Sequence, residues 1–243
     1  TYFDALLAIL PEDEESPFPD FGFYDLNAKV TQNIGKNDKI SISGFMSRDD
    51  FRLDDTGFDI RFFIGNTNAA LNWTHLFGAN MFSKVNLTYS RYNNGFENDL
   101  SGFDIAVGNT ITDITLKNDY EWFASEKLTM KGGYEISNFV FEYDQNFTGD
   151  EDASGENEGG LFYLKVPDWT YAGYTQANYQ ITDLISFQGG LRVNWWDFSE
   201  NLTFDPRLAA RWQVQDNFAI KGSWGIFHQY LRLAGDDVIT LFD

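Results

Sequence analysis

The feature that most constrains this chain is a repeated alternation. In about ten stretches every second residue is apolar, and the stretches are joined by tight polar turns at one end and wide segments at the other. A period of two belongs to a β-strand with two unlike faces. The tight turns read Gly35-Lys36-Asn37-Asp38, Phe77-Gly78-Ala79-Asn80, Ala124-Ser125-Glu126-Lys127, Thr182-Asp183 and Gln215-Asp216-Asn217. Wide loops are expected around residues 50–65, 93–107, 142–165 and 197–204. A meander whose two ends differ so regularly faces two unlike environments.

The alternation fixes the faces. In residues 22–34, Tyr24, Leu26, Ala28 and Val30 oppose Asp25, Asn27, Lys29 and Thr31. Ile40, Ile42 and Met46 then oppose Ser41, Ser43 and Ser47, and Ala69, Leu71 and Trp73 oppose Asn68, Asn72 and Thr74. The same phase carries Val85, Leu87 and Tyr89, then Ile114, Leu116 and Trp122, then Met130, Tyr134 and Ile136. It continues through Tyr171, Ala177 and Tyr179, through Ile185, Phe187 and Leu191, and through Leu208 and Trp212 to Ile220 and Trp224.

Strand length narrows the fold class. The stretches run to about 10–14 residues, against about 5–6 for strands of soluble proteins. A tilted strand crossing a bilayer needs roughly 9–11. No stretch approaches the roughly 18–20 apolar residues of a membrane helix. Mean hydropathy is -0.36 although 43% of residues are hydrophobic. Both facts suit strands that expose an apolar residue only at every second position. The 24 Phe, 12 Tyr and 7 Trp supply rings for two lipid–water interfaces. Tyr120, Trp122, Phe123, Tyr179 and Trp212 lie beside tight turns, and Phe45, Tyr92, Trp195 and Trp196 lie toward the wide segments. The expectation is an all-β, antiparallel, up-and-down transmembrane β-barrel.

Composition removes other classes. The absence of cysteine excludes disulfides and thiolate metal sites. A net charge of -20, from 37 acids against 17 bases, argues against nucleic acid as a partner. No Ser-His-Asp arrangement, phosphate loop, zinc signature or dinucleotide fingerprint is present, so an enzyme is not expected.

Three regions carry candidate chemistry. The segment 142–158 holds Glu142, Asp144, Asp150, Glu151, Asp152, Glu156 and Glu158 with no Lys or Arg. Carboxylates in that density suit a hard cation such as Ca2+, although the spacing is not that of an EF-hand. Glu12-Asp13-Glu14-Glu15 makes a second acidic stretch on the same rim. Two such clusters suit a cationic or metal-bearing ligand. His228, Gln229 and Tyr230 follow the last alternating stretch and are candidates for a ligand-binding surface on the loop side. His75, beside Trp73 and a tight turn, reads as an interfacial or strand-end residue.

Short motifs add a resemblance. Tyr2-Phe3-Asp4, Phe23-Tyr24-Asp25-Leu26-Asn27-Ala28-Lys29, Ser41-Ile42-Ser43-Gly44-Phe45 and Asp49-Asp50-Phe51 come in order. Gly65-Asn66-Thr67, Leu87-Thr88-Tyr89-Ser90-Arg91-Tyr92, Asp205-Pro206-Arg207-Leu208 and Ser223-Trp224-Gly225 follow. Together they resemble the barrel of TonB-dependent outer-membrane receptors, most closely the branch with an N-terminal carboxypeptidase-regulatory-like domain. The resemblance implies a barrel of roughly 22 strands filled by a plug. It implies residence in the cell outer membrane of a Gram-negative-type envelope, and uptake of a scarce solute through a TonB-type energy-transducing complex. Siderophores, metal complexes, oligosaccharides and peptides are all candidate solutes.

About ten strands are present, so residues 1–243 read as a partial barrel lacking the plug and the closing strands. Its implied partners are outer-membrane lipid, the rest of its own barrel and plug, the energy-transducing complex and a surface lipoprotein. The competing readings are a passive porin, a structural or adhesive outer-membrane barrel, and a soluble carbohydrate-binding β protein.

Overall fold

A computed structural model describes residues 20–55, 58–100, 103–151 and 157–228. They form one ten-stranded antiparallel sheet in strict sequence order. The strands are β1 (Asp20–Ile34), β2 (Asp38–Asp55), β3 (Phe58–Leu76), β4 (Met81–Leu100), β5 (Phe103–Phe123), β6 (Leu128–Glu151), β7 (Asn157–Thr182), β8 (Ile185–Trp196), β9 (Asn201–Gln215) and β10 (Phe218–Gly225). Strand number, order and tight turns agree with the reading from sequence.

The turns form where local chemistry directs them. Gly35 adopts a positive φ of 65° between β1 and β2, which a side chain would resist. Ser125 Oγ accepts the backbone N–H groups of Lys127 and Leu128, and Thr182 Oγ1 accepts those of Leu184 and Ile185. Such side-chain acceptors stand in for backbone partners and tighten the reversal.

The register aligns the apolar residues into one face. Val30 lies opposite Ile42, Ile42 opposite Leu71, Leu71 opposite Leu87 and Leu87 opposite Leu116. The row runs on through Ile136, Tyr171 and Trp195 to Leu202. Among the described residues no hydrophobic side chain is buried, while Leu26 is 63% and Val30 70% exposed. A single sheet has no second layer to cover these groups, so its apolar face is satisfied only by an external apolar medium.

In the described parts of the wide loops expected at 50–65, 93–107 and 142–165 the chain is instead strand: β2 runs to Asp55, β4 to Leu100 and β6 to Glu151, and β3, β5 and β7 start at Phe58, Phe103 and Asn157. β6 and β7 run to 24 and 26 residues, not about 10–14. Along β2 to β5 the alternation carries on into these segments with its phase reversed, as in Ile60, Phe62 and Ile64 against Asp59 and Arg61. Past this point the apolar residues stand on the face that is polar lower down. Phe45 and Tyr92, expected among outward interfacial rings, belong to this other face, since Phe45 lies opposite Asn68 and Asn66 opposite Tyr92.

Candidate functional site

The phase reversal builds two surfaces at the long-hairpin end. One row, on the face that is polar lower down, runs Phe21, Phe51, Phe62, Phe96, Val107, Gln145 and Phe162, each directly opposite the next across β1 to β7. Ring centroids are 6.3 Å apart for Phe51–Phe62, 4.8 Å for Phe62–Phe96 and 5.8 Å for Tyr143–Phe162. Amides interleave with the rings. Asn94 and Asn98 flank Phe96 on its own strand, and the Oδ1 atoms of both are shielded from solvent without a hydrogen-bond partner. Gln145 Oε1 accepts the Tyr143 hydroxyl at 3.0 Å. Stacked rings with amides between them offer flat apolar contact and directional hydrogen bonds to a solute.

The opposite face of the same hairpins is ionic. Arg61 donates to both oxygens of Asp50 at 2.8 and 2.6 Å, and Arg48 donates to Asp50 at 3.1 Å. Both guanidinium groups lie over the Phe63 ring, at 5.0 and 5.7 Å from its centroid. Arg52 forms a bidentate pair with Asp59 at 3.0 and 2.6 Å. Lys165 and the Tyr163 hydroxyl both donate to Glu142, at 2.7 and 3.0 Å. Arg61, then Arg48, hold the Asp50 carboxyl below its usual range, and Arg52 does the same for Asp59. Asp99 is pushed the other way by Asp104 directly opposite it. A face this charged belongs in water, so the hairpins stand above the apolar band of the wall.

Lower on the polar face, side chains tie the strands together. Arg192 donates to Glu135 at 2.9 Å and to Asn194 at 2.7 Å. Asn194 donates to Thr203 and Asp205, both buried. Tyr174 donates to Asp119 across Gly133, whose missing side chain leaves room for the ring.

The expected site residues are dispersed. His228 lies past β10 with Nδ1 2.5 Å from Asp205 Oδ1, inside the polar network and four residues into β9 rather than at a hairpin tip. Gln229 and Tyr230 lie outside the described residues. Asp144 sits on β6 over Gly108. Asp150 and Glu151 end β6 and Glu158 begins β7, while Asp152 and Glu156 lie outside the described residues. Among the described residues no three ligating side chains converge on a metal position. His75 is a strand-end residue as expected, its Nδ1 2.7 Å from Asp38, which also accepts the Trp73 indole. The inner aromatic row was missed because apolar residues were followed on one face only. The reversed phase of Phe58-Asp59-Ile60-Arg61-Phe62 is the signal that reveals it.

Comparisons with known proteins point one way. Residues 11–226 match the family model described as TonB dependent receptor-like, beta-barrel. No curated protein matches the chain. Among solved structures, the RagAB peptide transporter is 9% identical, with a TM-score of 0.58 over 82% of this chain and 31% of its own. The ferric-catecholate import receptor Fiu from E. coli K12 is 11% identical, with a TM-score of 0.54 over 83% and 40%. The unliganded ferric citrate transporter FecA is 10% identical, with a TM-score of 0.51 over 86% and 42%. The chain therefore spans less than half the length of these structures, and at such identities the likeness is one of fold.

Proposed function

The chain belongs to the TonB-dependent receptor β-barrel family, and from that membership we propose that it is wall from an outer-membrane receptor that takes up a scarce solute with energy supplied from the inner membrane. In this reading the apolar face meets lipid and the polar face lines the lumen. The reversal of faces along β2 to β7 carries the proposal: above the membrane the lumen side turns aromatic and amide-rich while the outside turns ionic. A passive pore has no need of a ringed wall above its mouth. Capture of a solute before transport does need one. Neighbours that import peptides, ferric catecholates and ferric citrate are consistent with uptake of this kind. The proposed partners are outer-membrane lipid, the remaining strands and plug of the same receptor, a TonB-type energy-transducing complex, and a surface lipoprotein over the hairpin ends.

The test is growth on single scarce nutrients. A strain lacking the receptor is supplied in turn with ferric siderophores, haem, cobalamin, oligosaccharides or peptides. Loss of growth on one class, reproduced in the parent when the inner-membrane coupling protein is deleted, supports the proposal. A growth defect that is indifferent to coupling is the behaviour of a porin and overturns it.

A further inference from the structure

Charge is segregated between the two faces of the long hairpins. On the ringed face, Ser90, Asp113, Phe139 and Asp168 lie opposite one another in a row across β4 to β7. Further out, Ile60, Asn98, Ile105, Phe147 and Gly160 form a row across β3 to β7. From just above the first row up to and including the second, the ringed face of β3 to β7 carries no Asp, Glu, Lys, Arg or His among the described residues. The same stretches of strand hold Arg61, Glu97, Glu142, Asp144 and Lys165, all on the ionic face. The chain has 37 acids and 17 bases, so the gap is not a shortage of charged residues. Asp49 on β2, opposite Ile64, stands at its margin.

Two ring clusters occupy this uncharged stretch. Phe62 and Phe96 form one on β3 and β4, and Tyr143 and Phe162 form the other on β6 and β7. Between them β5 presents Val107 and Asn109 and no ring. The clusters lie about three strand spacings, or roughly 14 Å, apart along the wall. Asn94, Asn98, Asn109 and Gln145 supply amides, each of which both donates and accepts hydrogen bonds. The unpartnered Oδ1 atoms of Asn94 and Asn98 belong to residues on either side of Phe96, each about 7 Å from it along the strand. A shielded acceptor without a donor is costly, and a solute that brings hydroxyl groups relieves it.

We infer that the solute held by this face is an uncharged oligosaccharide. The inference rests on the proposed uptake reading and names its substrate class. Two arguments select it. The first is charge. A ferric siderophore with ionised ligands, haem with its carboxylates and a peptide with charged termini would each lose water from those charges against a face that offers no counter-charge. A sugar needs none: its C–H face stacks on an aromatic ring, and its hydroxyls both donate to and accept from side-chain amides. The second is spacing. A single sugar ring is too small to touch both ring clusters, whereas a chain of several sugars spans them and passes the amides of β4, β5 and β6 on the way.

The test reads binding, separately from uptake. The full-length receptor, purified in detergent, is applied to an array of immobilised neutral and acidic glycans that runs from single sugars to long oligomers. Retention is expected on a neutral oligomer, rising with its length, and not on the single sugar or on acidic oligomers. For the retained oligomer in solution, Kd is expected to be the same in low salt and in about 0.5 M NaCl, because there is no ion pair to screen. Phe96→Ala and Tyr143→Ala are each expected to raise Kd about 3- to 10-fold, the loss of one stacked ring, while heat-modified migration on gels shows the barrel intact. Three results overturn the inference: no neutral glycan retained, retention of acidic glycans with a steep salt dependence, or a Kd that neither ring substitution changes. A receptor that retains no neutral glycan and still supports coupling-dependent growth on a ferric siderophore or a peptide loses the solute class and keeps the uptake reading. One that binds a neutral oligomer but supports growth on it indifferently to coupling loses the uptake reading and keeps the binding face.

Discussion

Phe62 on β3 and Phe96 on β4 face each other across the sheet, their ring centroids 4.8 Å apart and their planes tilted by 43°. The pair sits at the centre of the inner aromatic row, and Phe62 remains 48% exposed. Offset rings at this distance couple by about 0.5–1.5 kcal/mol beyond the area they bury. A double-mutant cycle with Phe62→Leu and Phe96→Leu, followed by thermal unfolding in detergent, is expected to return a coupling in that range. A coupling of zero means that the rings are neighbours without being partners. Phe62→Ala and Phe96→Ala are also expected to weaken solute uptake while leaving the barrel folded.

Gly133 and Gly173 predict opposite outcomes for the same substitution. A Cβ on Gly133 meets the Asn118 carbonyl oxygen at 2.3 Å and the Tyr174 ring at 2.9 Å, whereas a Cβ on Gly173 meets nothing within 4 Å. Backbone cannot yield as a side-chain tip does, so Gly133→Ala is expected to cost about 1–3 kcal/mol. Gly173→Ala is expected to be neutral or slightly stabilising. Heat-modified migration on gels separates the two.

Asp50 ties Arg48 and Arg61 together on the outer face of the hairpins. Its folded-state pKa is depressed, chiefly by the hydrogen bonds from Arg61. The stabilisation is therefore present above the ordinary carboxylate range and is lost as pH falls through the depressed value. Asp50→Asn is expected to cost no more than about 1 kcal/mol, because partly exposed pairs are screened. The cost should shrink in high salt and vanish at strongly acidic pH. Limited proteolysis of the β2–β3 hairpin reports it.

Asp99 shows the opposite sign. Asp104 lies opposite it and raises its folded-state pKa by direct repulsion. Protonation relieves that repulsion, so the relief is complete below the ordinary carboxylate range and is lost as pH rises through the raised value. Asp99→Asn is expected to slow proteolysis of the β4–β5 hairpin at neutral pH. The difference from the parent should disappear under acid conditions.

The long hairpins show where the sequence was readable and where it misled. Alternation through Val30, Ile42 and Leu71 identified one continuous apolar face, and the register aligns those residues. The same alternation runs through Ile60, Phe62 and Ile64, but on the other face. Followed as a single apolar phase, the alternation ends where the strands do not. Glu142 and Asp144 have the composition of a solvated loop. They occupy the water side of β6, and Glu142 is held by Lys165 from β7. Lys165 lies 23 residues away in sequence and becomes a neighbour only through cross-strand pairing.

The sequence by itself determined the period, the number of strands, the tight turns and the family. Each of these is a local property, written in side-chain alternation and in residues such as Gly35, Ser125 and Thr182 that shape the backbone beside them. Tertiary structure decided how far the strands extend, which face each phase of the alternation occupies, and which charges meet. Those outcomes depend on register, because a side chain's environment in a single-layer wall is set by the residue opposite it and by the medium on its side of the sheet. Phe62 opposite Phe96, and Lys221 opposite Arg211 without a carboxylate, are relationships of that kind.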